Sequence, residues 1–161
     1  MIRIVSALAL AGTVAALSGA LSWAQTPADT VKARQELMGQ LWPNYYRDIS
    51  QVARGNSTDI AVVATKAAGA VDALKKFASL FPPGTGRDAV PTTRTKPDAW
   101  TDRAAFDKAN NDLIAATAAI GDAAKSGNLE AVKAAWPKVA EACGACHGGA
   151  KKAGGKFRFE E

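Results

Sequence analysis

The chain has few of the side chains that bind metals or do nucleophilic chemistry. Across 161 residues there are one histidine, two cysteines and two methionines. A four-ligand Cys/His zinc site cannot be assembled from so few. Aromatic residues make up only 7%, which is sparse for a β-sandwich. The apolar share of 48%, dominated by alanine, suits a helical domain with a moderately small core. A net charge of +5, evenly spread, is too little for nucleic-acid binding. After the first two dozen residues no apolar run is long enough to span a bilayer. The length suits one domain rather than two.

The long apolar run that does exist is at the start. Met1-Ile2-Arg3 is a short basic segment, Ile4 to Leu21 is rich in Ala, Leu and Val, and Ser22-Trp23-Ala24 places small residues before Gln25. That is the layout of an export signal, with an uncleaved membrane anchor as the alternative. The expected organisation is a cleaved signal at 1–24 and one domain at 25–161, in a periplasmic protein. Arg3 is the one charged residue of the signal, so the mature chain has 19 basic against 15 acidic residues, a balance of +4. Its soft and nitrogen ligands reduce to Met38, Cys143, Cys146 and His147.

Three of those four fall within five residues. Cys143-Gly144-Ala145-Cys146-His147 is the C-x-x-C-H signature of covalent haem attachment. On a helix, positions three and four apart share a face. Both cysteines can therefore form thioethers with haem vinyl groups while His147 sits under the iron. A thioredoxin-like disulfide would want a βαβ unit, and none is legible nearby. The expected cofactor is one haem c, whose two carboxylates would lower the net charge to about +2.

Four helical segments are predicted. The first is capped at Thr26, has Pro27 at its first position and runs to about Arg54, with Val31, Arg34, Met38, Leu41, Tyr45, Ile49 and Val52 on one face and a kink at Pro43. The second runs from a cap at Ser57 to about Leu80. Residues 82 to about 100 form a long link rich in Pro, Gly and Thr. The third runs from about Asp102 to Ser126. The fourth runs from a cap at Asn128 to about Lys152, with Pro137 bending its first half. Lys151, Lys152, Lys156 and Arg158 then read as a solvated, frayed tail. Two short links and one long one give an all-α fold, an antiparallel up-down-up-down four-helix bundle with haem at one end. In that bundle Met38, about three turns into the first helix, lies at the same end as His147.

The position of C-x-x-C-H at the end of a fourth helix resembles the cytochrome c′ family, the class II cytochromes c. So do Lys32-Ala33-Arg34-Gln35 with Met38 behind them, Phe81-Pro82-Pro83-Gly84-Thr85-Gly86, and Lys96-Pro97-Asp98-Ala99-Trp100. The resemblance implies that Arg34 and Gln35 contact a haem propionate, that Met38 faces the distal side of the iron, that Phe81 lies near the haem and that Lys151 is a basic group on the proximal side. It also implies a homodimer, for which the alanine-rich faces of the first two helices leave room.

Two functions follow from the resemblance. One is one-electron transfer with unidentified redox partners. The other is binding of NO or CO at a five-coordinate iron carrying His147 alone. Met38 as a sixth ligand would give a closed, low-spin electron carrier instead. Arg34-Gln35 ahead of Met38 resembles the five-coordinate members. An enzyme such as a peroxidase would need a distal acid/base group, and the one histidine is already used.

Overall fold

The computed structural model describes residues 25–149 and 154–160. The 1–24 segment assigned to an export signal, and Lys151, lie outside the described residues. Thr26 opens α1 (Pro27–Leu41) with a capping box. Its Oγ1 accepts the Asp29 N–H at 3.1 Å, and its own N–H donates to the Asp29 carboxylate at 3.2 Å.

Pro43 has no N–H for the Gly39 carbonyl, and in an α-helix its ring would press on that carbonyl. The chain accommodates it in one π-helical turn, Trp42–Tyr46, and resumes as α2 (Arg47–Ala53). A π turn adds a residue to the helical period. The core position after Leu41 is therefore Tyr46, five residues on, followed by Ile49 and Val52. Tyr45, expected in that stripe, is only half-buried. Its ring fills the space where a Cβ on Gly69 would stand.

The second helix is shorter than its sequence suggested. It is α3 (Ile60–Phe77), followed by a 3-10 turn at Ala78–Leu80. The cap is Asp59, not Ser57: Asp59 Oδ1 accepts the Val62 N–H at 3.2 Å, while Ser57 Oγ accepts the Asp59 N–H. A carboxylate also suits the positive end of the helix dipole better than a hydroxyl. The long link contains the short α4 (Asp98–Thr101). Then α5 (Arg103–Lys125) is capped by Asp102, and α6 (Leu129–His147) by Asn128. Pro137 is accommodated within α6. That helix stops at His147 rather than near Lys152, because Gly148 adopts a left-handed conformation with φ of 86°.

The π turn joins α1 and α2 into one arm, so the architecture is an antiparallel four-helix bundle of that arm with α3, α5 and α6. Ile49, Val63, Leu74, Ile120, Val132 and Val139 are fully buried in its core. A second apolar cluster of Phe81, Ala99, Phe106 and Phe157 lies under the long link. Phe157 overturns the expectation of a frayed tail. It is 5% exposed and stands edge-on to Phe106 with centroids 5.3 Å apart. The Lys96 N–H donates to the Phe157 carbonyl at 3.0 Å, and the Phe159 N–H to the Arg94 carbonyl at 2.9 Å. No helix among the described residues is long and apolar enough to cross a membrane.

Candidate haem site

Cys143, Cys146 and His147 occupy the last turn of α6, which Gly148 ends. All three are half-buried. They line a cavity of about 610 Å³, within the range of about 300–1,000 Å³ common for small-molecule and cofactor sites. Arg34, Gln35 and Met38 of α1 and Phe81 of the link line the same cavity. Residues up to 113 positions apart in the chain, singled out from separate motifs, thus line one cavity. The two cysteines do not pair with each other, and before attachment burial pushes both thiols up from their ordinary value, Cys146 to about 11. Among the described residues no three His, Cys, Asp or Glu side chains converge as a metal cage. The motif is laid out along a cavity edge, which suits a macrocycle with two vinyl groups better than a single ion.

Arg34 is 3% exposed. Its Nη1 donates to the Leu80 carbonyl at 3.3 Å and to Thr85 Oγ1 at 3.0 Å. Its Nη2 donates to the Thr85 carbonyl and to Thr93 Oγ1, both at 2.8 Å. The guanidinium also lies over the Phe81 ring, 4.6 Å from the centroid, and 5.6 Å from that of Trp100. Burial lowers it to about 10. It forms no ion pair with a carboxylate among the described residues. A buried cation facing a cavity without a counter-ion fits a ligand that brings carboxylates. The cavity wall carries no Asp or Glu among the described residues, and its apolar side chains include Leu74, Phe77, Phe106 and Leu113. A haem, apolar across its face and acidic at one edge, matches both properties.

Gln35 is exposed and Met38 half-buried, packed beside the bundle core. The structure adds residues that the motifs did not name. Tyr46 reaches the cavity because of the π turn, and its buried hydroxyl is 2.8 Å from Thr117 Oγ1. Burial raises the Tyr46 phenol well above its usual range. Thr85, inside the Phe81–Gly86 motif but with no role assigned to it there, and Thr93 read as loop residues until Arg34 is placed between them. Phe157 and Arg158 reach the cavity wall from the C-terminal segment. The signal that could have found them is the aromatic–basic pattern Lys156-Phe157-Arg158-Phe159, unusual for a disordered tail.

A family model described as cytochrome c′ matches residues 29–149. The chain is 32% identical over 124 residues to cytochrome c′ of Rubrivivax gelatinosus, an alignment covering 76% of this chain and 94% of the relative. It is 30% identical over 132 residues to cytochrome c′ of Alcaligenes xylosoxydans xylosoxydans, covering 78% and 95%. The fold superposes on the crystal structure of the Rubrivivax gelatinosus protein with a TM-score of 0.70 at 30% identity, over 83% of this chain and 98% of that one. A ferrous, NO-bound variant of the Alcaligenes xylosoxidans protein shares the fold at a TM-score of 0.72 and 22% identity, over 86% and 99%. Proteins of this kind carry a covalently attached c-type haem, and Cys143 and Cys146 are the cysteines present to hold it. With the model spanning most of the chain and both relatives at 30% identity or above, this chain belongs to the cytochrome c′ family.

Proposed function

We propose that the protein is a periplasmic monohaem cytochrome that transfers single electrons, binds NO or CO, or does both, and that it is not an enzyme. The observation that carries this reading is that Cys143, Cys146, His147 and Met38 line one cavity. When bound, haem supplies a one-electron iron couple and a coordination position for a diatomic gas. The two cysteines would fix the macrocycle covalently to the last turn of α6. His147, four residues after Cys143, would offer its imidazole to the iron. Arg34, with Gln35 alongside, would supply a desolvated positive charge for the haem carboxylates. Phe81 and Leu74 exclude water. NO bound in the Alcaligenes xylosoxidans relative supports the gas-binding side of the reading.

Met38 packs against core residues and lines the cavity, and in this reading it would serve as an apolar plug that does not bind the iron, flexible enough to admit a small gas. The test compares wild type with Met38→Ala by ferric absorption or EPR spectra and CO-binding kinetics. Both proteins are expected to be high-spin. The variant should bind CO on the order of tenfold faster, the factor that about 1.4 kcal/mol of removed barrier gives. A low-spin wild type that becomes high-spin in the variant would assign Met38 as the sixth ligand of a closed electron carrier.

Two further properties belong to the same proposal. Export is supported by the 1–24 pattern: the mass of the mature protein should correspond to a chain starting at Gln25 plus one haem. The homodimer is supported by the small, exposed side chains Ala28, Ala61 and Ala68 on α1 and α3, which allow close helix contact across a two-fold axis. Sedimentation equilibrium should give twice the chain mass at micromolar concentration; a monomer there would overturn the dimer.

A further inference from the structure

Tyr46 is a buried phenol of the cavity wall, 4% exposed, to which the haem reading gives no task. Its ring lies between the cavity and Trp136. The two ring centroids are 6.4 Å apart, with planes tilted by 52°. Trp136 is half-buried on α6 and stands outside the cavity wall. Trp136 and Cys143 are seven positions apart on that helix. They therefore share a face and lie about 10 Å from one another along the axis. Tyr46 packs over this face. It meets Trp136 ring to ring, and its phenol is close enough to Cys143 to feel a charge there. Cys143, Tyr46 and Trp136 form a continuous line from the attachment point of the macrocycle to the edge of the molecule.

The two rings differ in what they can do with a lost electron. An oxidised phenol persists only if its proton leaves at once. The Tyr46 hydroxyl has Thr117 Oγ1 as its partner at 2.8 Å, a neutral hydroxyl and not a base. Burial also holds the phenol proton more tightly than usual. Tyr46 thus passes an electron vacancy on rather than keeping it. Trp136, half-exposed, can shed its indole proton to water. The other described tryptophans are placed differently. The Arg34 guanidinium lies 5.6 Å from the Trp100 ring centroid, and a fixed positive charge opposes removal of an electron. Trp42 is 52% exposed and meets no aromatic ring among the described residues.

We propose that Tyr46 and Trp136 are an electron relay that protects the haem cavity from hydroperoxides, with Trp136 as the residue that ends oxidised. This rests on the haem reading above. Splitting the O–O bond of a hydroperoxide ROOH takes two electrons and two protons, and yields ROH and water. One electron comes from ferrous iron, which becomes ferric. The other comes from Trp136 through Tyr46. Trp136 releases its N–H proton to solvent, and solvent supplies both protons that the products need. Without the relay the second electron is drawn from the groups nearest the peroxide, the macrocycle and the Met38 thioether.

The experiment mixes the full-length, haem-loaded ferrous protein with an equimolar amount of hydrogen peroxide. It reads the organic radical by frozen-solution EPR, the site of oxygen addition by peptide mass spectrometry, and the loss of haem absorption. Wild type is expected to show a tryptophanyl radical and oxygen added at Trp136. Tyr46→Phe, which keeps a ring in place but not an oxidisable one, should lose both signals. Trp136→Phe should lose them too, bleach its haem several-fold faster and gain oxygen at Met38. Wild-type oxidation at Trp42 with none at Trp136 overturns the proposal. So does Trp136→Phe that bleaches at the wild-type rate, or Tyr46→Phe with Trp136 oxidised as before. A wild type without covalent haem would instead sink the functional reading on which this one rests.

Discussion

Arg34→Ala is expected to lower the free energy of unfolding by about 3 kcal/mol, measured by urea denaturation of the haem-loaded protein. Each hydrogen bond from a charged donor contributes about 1.5–3 kcal/mol, and an orphaned buried acceptor costs about 1–3 kcal/mol. Arg34 makes four such bonds, to Leu80, twice to Thr85, and to Thr93. The losses do not simply add. The Thr85 hydroxyl keeps its own bond to the Pro82 carbonyl, and water entering the vacated space can serve the Leu80 and Thr85 carbonyls. The remaining cost comes from loosening the 80–93 stretch, which Arg34 ties to α1. Arg34→Lys should recover little, because one ammonium cannot span acceptors placed for a planar fork. A loss below about 1 kcal/mol in Arg34→Ala would show that the link is held by its aromatic contacts alone.

The parts of this molecule governed by short-range rules were legible from its residues. Thr26 with Asp29, and Asn128, mark helix starts that the structure reproduces, and the 143–147 motif falls on a helical turn as its spacing requires. The cavity end of the bundle was legible because Met38 and His147 each lie a countable number of turns from a capped terminus. Tyr46 was missed because one π turn at Pro43 shifts the period, and periodicity cannot announce its own interruption. The cap falls on Asp59 rather than Ser57 because both are good caps two residues apart, and only the folded chain shows which side chain meets an amide. The family resemblance makes Arg34 a propionate contact. Its larger structural task, gathering Thr85 and Thr93 around it, depends on partners 51 and 59 residues away. The tail departs from its sequence expectation for a different reason. Its basic residues suggested solvent, whereas Phe157 between them decides the outcome, since burying one such ring is worth roughly 1.5–3 kcal/mol.

Gly155→Ala is expected to detach that tail and lower stability by about 2 kcal/mol. The close approach is reciprocal: a Cβ on Gly155 would overlap the Cys146 carbonyl, and one on Gly148 would overlap the Gly154 carbonyl. The neighbours are backbone, so no side chain can swing aside to make room. The Cys146 carbonyl belongs to the turn that bears His147, and the core of the bundle holds that turn in place. The 154–160 segment is the part free to yield. The loss is therefore bounded by what docking contributes, chiefly the burial of Phe157 at roughly 1.5–3 kcal/mol. The Lys156–Asp102 pair adds little because both side chains are about half exposed. Two observations follow in the full-length protein. Trypsin should cut after Lys156 at least tenfold faster in Gly155→Ala than in wild type, since cleavage tracks the population of the opened tail. Gly155→Ala combined with Phe157→Ala should cost clearly less than the sum of the two, because either change alone already undocks the segment. Full additivity would mean that the two residues support different structures, and that the glycine serves the end of α6 rather than the seating of the tail.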